Sequence, residues 1–226
     1  MTSWDSKPDS VGLMIFDGAE ELDFIGPWEM FTMWREYASG PEIIETVAHK
    51  GNPVRCGKGL TVIPDTHFSA ARNYDVLLVP GGFAAFDIAE DPIHLDFVRR
   101  QSANAQAMLS VCTGSMILCA AGLLAGKSAT THWKAMDRLS KFSNVSATSA
   151  RYVRDGRIWT SAGVSAGIDM SLAFISATAG EEAARIVQLN SEYYPEGCMF
   201  GSPEKTKFAP AYVRQPESSP ESFVAK

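Results

Sequence analysis

The sequence predicts an α/β protein with a mostly parallel sheet covered by helices on both faces. Three observations lead there. Short, almost continuous apolar runs alternate with longer stretches whose apolar residues recur at helical spacing, and a strand buried on both faces shows that uninterrupted pattern. Several runs stop at Gly or Pro, where a strand gives way to a loop. The 226 residues, 46% hydrophobic and 20% charged, supply one substantial core.

In chain order, Val11–Phe16 reads as a buried strand closed by Gly18. A helix is expected after Gly26-Pro27, because proline suits a first helical turn and Trp28, Phe31, Met33 and Trp34 follow at roughly helical spacing. Ile43–Ala48 and Leu60–Ile63 read as strands, and Val76–Val79 as another that ends at Pro80-Gly81-Gly82. Asp91-Pro92 signals a helix over Pro92–Gln101. Ala107–Val111 is a strand that runs directly into a helix from Thr113 to Leu124. Tyr152–Val153 and Ile158–Thr160 flank the Asp155-Gly156 turn of a hairpin, and helices follow over Gly167–Ala179 and Glu181–Leu189. This order fits a Rossmann/flavodoxin-like sheet, whose ligands lie at the carboxyl ends of its strands. From Tyr194 onward the periodicity fades, so one domain over 1–203 and a tail over 204–226 are expected.

A net charge of −6 argues against a nucleic-acid or anionic-membrane partner, which would demand clustered Lys and Arg. No signal-like segment opens the chain, and its longest apolar stretch, Met116 to Gly126, is too short to span a bilayer. A cytoplasmic location is expected. Cys56, Cys112, Cys119 and Cys198 lack metal or disulfide spacing and default to free thiols. His49, His67, His94 and His132 are dispersed along the chain, so no metal site is predicted.

The chemistry centres on Cys112. A strand passing straight into a helix turns sharply, and the corner side chain is projected out of the sheet. Here the corner reads Ser110-Val111-Cys112-Thr113-Gly114. A free cysteine is often simply buried, and Cys119, among apolar neighbours, takes that reading. The elbow favours a nucleophile for Cys112, and a helix N-terminus favours its thiolate near neutral pH. Gly81, Gly82, Gly114 and the Thr113 N–H are candidate backbone donors to a ligand. Asp23, between Leu22 and Phe24, is expected to have a raised pKa and to pass a proton to a nearby sulfur, unless it is a capping or solvated acid. His132, in Thr130-Thr131-His132-Trp133, either assists or serves as a structural donor. No Lys or Arg adjoins the three loops at Asp23, Pro80-Gly81-Gly82 and Cys112 along the chain, which suits a small neutral substrate.

LDFIGPWEMF, VLLVPGGF, VCTGSMILCAAGLLAGKSATTHW, RYVRDGRIWTSAGVSAGIDMSLAF and VQLNSEYYPEGCMFGSP occur in this order. From about Val11 to Pro203 the chain resembles the DJ-one/PfpI superfamily, and within it the isocyanide (isonitrile) hydratases. The resemblance implies a cofactor-free homodimer that adds water to R–N≡C to give an N-substituted formamide. It also implies that Cys112 attacks the isocyanide carbon, that Asp23 supplies the proton and activates water, and that Gly82, Thr113 and the Thr113 hydroxyl orient the intermediate. Peptidase-like relatives have His after the cysteine, where this chain has Thr113. The deglycase-like branch has Glu in place of Asp23. Two segments depart from the hydratase pattern: Ser161-Ala162-Gly163-Val164-Ser165 and Glu196-Gly197-Cys198-Met199.

Two other functions fit the same superfamily. One is a thiol-based glyoxalase or stress protein that keeps Cys112. The other is the ligand-sensing domain of AraC-like regulators, which carry a helix-turn-helix module; after Pro203 the sequence shows only a Pro- and Ser-rich stretch.

Overall fold

In the computed structural model, residues 7–195, 209–214 and 224–225 are described. The expected boundary at residue 203 and the segment Glu196–Met199, with Cys198, lie outside them. The chain opens with β1 (Ser10–Met14) and α1 (Glu21–Tyr37). Next come β2 (Ile43–Ala48), β3 (Val54–Arg55), β4 (Thr61–Val62), β5 (Thr66–His67) and β6 (Val76–Val79). These lead to α2 (Ala85–Ile88), α3 (Pro92–Asn104), β7 (Ala107–Ser110) and α4 (Gly114–Ala120). Then follow β8 (Lys127–Ala129), a 3-10 turn at Trp133–Ala135, α5 (Met136–Leu139) and β9 (Val145–Ala147). β10 (Tyr152–Asp155), β11 (Ile158–Ser161), α6 (Ala166–Ala179) and α7 (Glu181–Asn190) complete the regular part.

The main sheet runs β10-β11-β7-β6-β1-β2-β5, and Val224–Ala225 pairs with β10 at its outer edge. All pairs are parallel except the β10–β11 hairpin. The α/β architecture read from the sequence is therefore present.

Alternation along each strand explains why the runs are apolar throughout. Val11, Leu13, Val76, Leu78, Ala107 and Leu109 face a core completed by Phe31, Trp34, Trp159 and Phe174, which α1 and α6 help to supply. Met14, Leu77, Val79 and Met108 face a second core with Phe97, Met116, Ile117 and Leu124, supplied in part by α3 and α4. A strand between two helical layers has no solvent side on which to place a polar residue.

Three helix boundaries differ from the expectation by more than two residues, and one of them is the end of α3, which runs past Gln101 to Asn104. α1 begins at Glu21, six residues before Pro27, and keeps the proline inside. A mid-helix proline lacks the N–H that would bond the carbonyl four residues back, here that of Asp23, yet burial of Phe24, Met30, Phe31 and Trp34 holds the helix together. α4 ends at Ala120 rather than Leu124, because Gly122 follows with φ +84°. The β8–β9 pair and the edge strand β5 carry too little periodicity to be read from sequence.

From β1 the chain moves to β2 and β5 on one side, then crosses back to place β6 on the other. The order reverses between β1 and β6, and the carboxyl ends of strands at such a point form a crevice. The loops after β1 and β6, and the end of β7, converge there.

Candidate functional site

Cys112 sits between β7 and α4 with φ +56°, a left-handed conformation that few non-glycine residues adopt. Its backbone is fixed from three sides. The Cys112 N–H donates to the Ala162 carbonyl at 3.0 Å, and its own carbonyl accepts the hydroxyls of Thr131 at 3.0 Å and Ser115 at 3.2 Å. A strained residue persists only where its surroundings over-determine it, and these bonds do so.

Asp23 lies in the first turn of α1, not in a loop, and is fully buried. The helix turns Asp23 and Phe24 inward and leaves Leu22 and Ile25 exposed, so of the two neighbours expected to desolvate the carboxyl only Phe24 is buried with it. Its Oδ2 accepts the Gly81 N–H at 2.8 Å. Oδ1 is buried without a regular hydrogen-bond partner, and the Cys112 thiol acts on the carboxyl as a donor. Burial pushes the Asp23 pKa up to about 8, against the pull of the Gly81 N–H. The raised value expected from sequence is present.

The thiolate expected near neutral pH is not. Burial, then the charge of Asp23, push the Cys112 thiol up to about 12. Backbone N–H groups of Thr113 and Val164 and the Thr113 side chain act in the opposite direction without cancelling that cost. The helix N-terminus was a sound argument for an exposed sulfur; only 6% of Cys112 is exposed.

The glycine-rich turn after β6 also works differently from the expectation. The Gly81 N–H is bonded to Asp23, and the Gly82 N–H donates to Thr113 Oγ1 at 3.0 Å. The Thr113 hydroxyl donates in turn to the Gly82 carbonyl at 2.8 Å, and the Gly114 N–H closes the elbow on the Val111 carbonyl at 2.9 Å. These donors hold the site together rather than standing free for a ligand. A Cβ on Gly81 would lie 2.5 Å from the Thr113 nitrogen and 2.9 Å from Asp23 Oδ2. Only glycine allows the three chain segments to meet so closely.

His132 is half-buried, and its Nδ1 accepts the Lys134 N–H at 3.2 Å. Burial lowers its pKa. Its ring packs against Gly163, where a Cβ would lie 2.3 Å from Cδ2. The ring nitrogen is thus an acceptor, not the structural donor considered for it, and lies beside the segment that faces Cys112.

Val164 was missed by the sequence reading. In the sequence the segment Ser161–Ser165 stands out only as a departure from the hydratase pattern, and nothing in its composition shows that an N–H there acts on the sulfur. Lys58 was missed as well. It is remote in sequence but pairs with Glu20, and its N–H donates to Glu21 Oε1 at 2.6 Å. A cation therefore lies near the first turn of α1, although none adjoins Asp23 along the chain.

Of the other predicted thiols, Cys56 is buried and Cys119 half-buried, both free. Three of the four histidines gather in space. His49 lines two cavities of about 520 and 340 Å³, the first with His67 and the second with His94, and neither cavity includes Cys112 or Asp23. Among the described residues, no group of three or more His, Cys, Asp or Glu is placed to hold a metal ion, and no helix is long and apolar enough to cross a membrane.

The sequence is 39% identical over 186 residues to the isonitrile hydratase of Pseudomonas putida, covering 82% of this chain and 78% of that enzyme. It is 33% identical over 181 residues to an HTH-type transcriptional regulator of Pseudomonas aeruginosa, covering 80% of this chain and 53% of the regulator. Among solved structures it is similar to a THiJ/PfpI family protein from Pseudomonas syringae, with a TM-score of 0.80 and 36% identity over 93% of this chain and 84% of that one. The DJ-1/PfpI family model matches residues 9–177, which contain the elbow, Asp23 and the segment facing the sulfur, and the chain belongs to the DJ-1/PfpI family.

Proposed function

We propose that this protein is an isocyanide hydratase that converts R–N≡C to an N-substituted formamide at Cys112. The observation that carries this reading is the buried pair of Asp23 and Cys112, two acids with raised pKa values, the carboxyl held by the Gly81 N–H of the glycine turn and met by the thiol of the elbow. The identity to the Pseudomonas putida isonitrile hydratase supports it.

Two acids in one desolvated site lose their protons in two coupled steps. After the first loss one proton is shared, and the reacting arrangement has a thiolate beside a carboxylic acid. The sulfur attacks the terminal carbon to form the C–S bond, and Asp23 gives its proton to the same carbon, leaving R–N=CH–S–Cys112. The Asp23 carboxylate then draws a proton from water as its oxygen adds to that carbon, and returns the proton to nitrogen. When the hydroxyl proton passes to Asp23 the C–S bond breaks. R–NH–CHO leaves, and thiolate and acid are restored. The N–H groups of Thr113 and Val164 stabilise the sulfur anion at the first and last steps.

The substrate is neutral and small at its reacting end, which suits a cysteine with little exposure and an acid fully out of water. Thr113, rather than a histidine, follows the nucleophile and is bonded to the Gly82 backbone, so a Cys–His hydrolytic pair has no place here. We further propose a cytoplasmic homodimer that needs no added cofactor.

The test uses purified protein without added metal or nucleotide, on cyclohexyl isocyanide and on methylglyoxal, with Cys112→Ala as background. The expected result is chromatographic detection of N-cyclohexylformamide well above background and weak loss of methylglyoxal. Consumption of methylglyoxal without formamide replaces the hydratase reading by the glyoxalase one.

A further inference from the structure

The segment that aims Val164 at Cys112 is held from outside the site. Val164 has φ +51°, an outlying conformation for a β-branched residue. The next residue, Ser165, is the N-cap of α6, yet its side chain makes no capping bond. Its hydroxyl instead accepts from the Arg151 guanidinium at 3.1 Å. The same guanidinium donates through Nε to Asp169 Oδ2 at 2.6 Å, and Tyr193 donates to the other oxygen of Asp169 at 3.1 Å. The Arg151 main chain grips the other end of the segment. Its carbonyl accepts the Ala162 N–H at 2.9 Å, and the Ala162 carbonyl accepts the Cys112 N–H at 3.0 Å.

We infer that Arg151 is a positioning residue for the nucleophile: it clamps the Ala162–Ser165 segment at both ends and thereby keeps the strained Val164 N–H directed at the Cys112 sulfur. One arm runs through its carbonyl to Ala162, the other through its planar fork to Ser165 and Asp169. The fork matters because it meets two acceptors in fixed relative directions, which a single ammonium does not do. With the Ser165 end released, Val164 relaxes out of its unfavourable conformation and the sulfur loses a donor. The hydrogen bonds transmit the effect through the segment, and Arg151→Lys, which keeps the charge and loses the fork, separates that route from a field effect. The assignment rests on Cys112 as the reacting group proposed above and needs no particular substrate.

The test measures the second-order rate of Cys112 alkylation by iodoacetamide in the folded protein against pH, read by mass spectrometry. Arg151→Met keeps length and loses the charged fork, while Ser165→Ala deletes one anchoring hydroxyl. Both are expected to slow alkylation of Cys112 at a fixed mildly alkaline pH, Arg151→Met by about tenfold, the scale of one lost hydrogen bond to a charged group. Arg151→Lys, which restores the charge without the fork, should stay close to Arg151→Met. The inference is overturned if the Ser165→Ala profile matches wild type, or if Arg151→Lys recovers the full rate, since either result makes the fork irrelevant. If Arg151→Met fails to fold, Ser165→Ala and Arg151→Lys still decide. A wild-type protein that makes no formamide while these rates shift as stated would remove the hydratase reading and leave this one standing.

Discussion

Burial of Asp23 sets two opposing demands on one side chain. The folded carboxyl loses its proton near pH 8, whereas an aspartate in an unfolded chain does so near 3.9. Between those values the folded chain holds a proton that the unfolded chain has released, so stability from this group is greatest below about pH 4 and falls as pH rises toward 8. Asp23→Asn cannot ionise. Its melting temperature should exceed wild type by at least about 2–4 °C at pH 8, and the gain should vanish near pH 4. The same variant should lose on the order of 10²–10⁴ in formamide formation. Its Cys112 should nevertheless alkylate faster than wild type above pH 8, because the charge that raises the thiol is gone. Slower alkylation would show that Asp23 does not oppose the thiolate. For wild type, kcat/KM should rise with pH through a midpoint near 8 as the pair loses its first proton. A plateau already reached at pH 6 would restore the low-pKa thiolate that the elbow alone implied.

At the scale of elements, the site is the meeting of four chain segments: the first turn of α1, the turn after β6, the elbow before α4, and the segment before α6. Their spacing is set by contacts that leave no room for a methyl group. Gly81→Ala places a Cβ against the Thr113 backbone, and overpacking of that kind costs about 1–3 kcal/mol. The expected outcome is a lower urea midpoint together with loss of activity, since Asp23 Oδ2 and Thr113 Oγ1 are both within 3 Å of the added atom. An unchanged midpoint would mean that the three segments part easily. Asp23, Thr113 and Cys112 were readable as a set, because each lies where an apolar run stops at a loop or helix start. The use of the glycine-turn N–H groups as internal struts was not. A Gly-Gly pair has the same sequence whether its donors face a ligand or a carboxylate.

For the whole molecule, two cores back to back make the sheet the unit of stability. Phe174 is fully buried and meets Phe31 and Trp159 edge-on, with centroids 6.2 and 5.6 Å apart. Phe174→Ala should cost about 3–5 kcal/mol in denaturant unfolding. Phe83, 90% exposed in the turn after β6, should change stability by less than about 0.5 kcal/mol when replaced by Ala. Equal costs at the two positions would contradict the core assigned here. Light scattering should give the mass of two 24.5 kDa chains if the homodimer proposal holds, and one chain if it does not.

The sequence by itself determined the fold class, because strands caged between helical layers must be apolar at nearly every position and Val11, Val76 and Ala107 each open such a run. It also determined the elbow, since no loop separates the β7 run from the α4 run and Cys112 stands at their junction. Only the tertiary structure decided where Asp23 sits. Local rules start the helix at Pro27, whereas packing of Phe24, Met30 and Trp34 against the sheet extends it back to Glu21. Only the tertiary structure decided the acidity of Cys112 as well. A helix N-terminus is a local feature, but desolvation by the surrounding sheet and the nearness of Asp23 belong to the assembled molecule. For the same reason Val164 and Arg151 were invisible: hydrogen bonds between residues far apart in the chain leave no pattern along it.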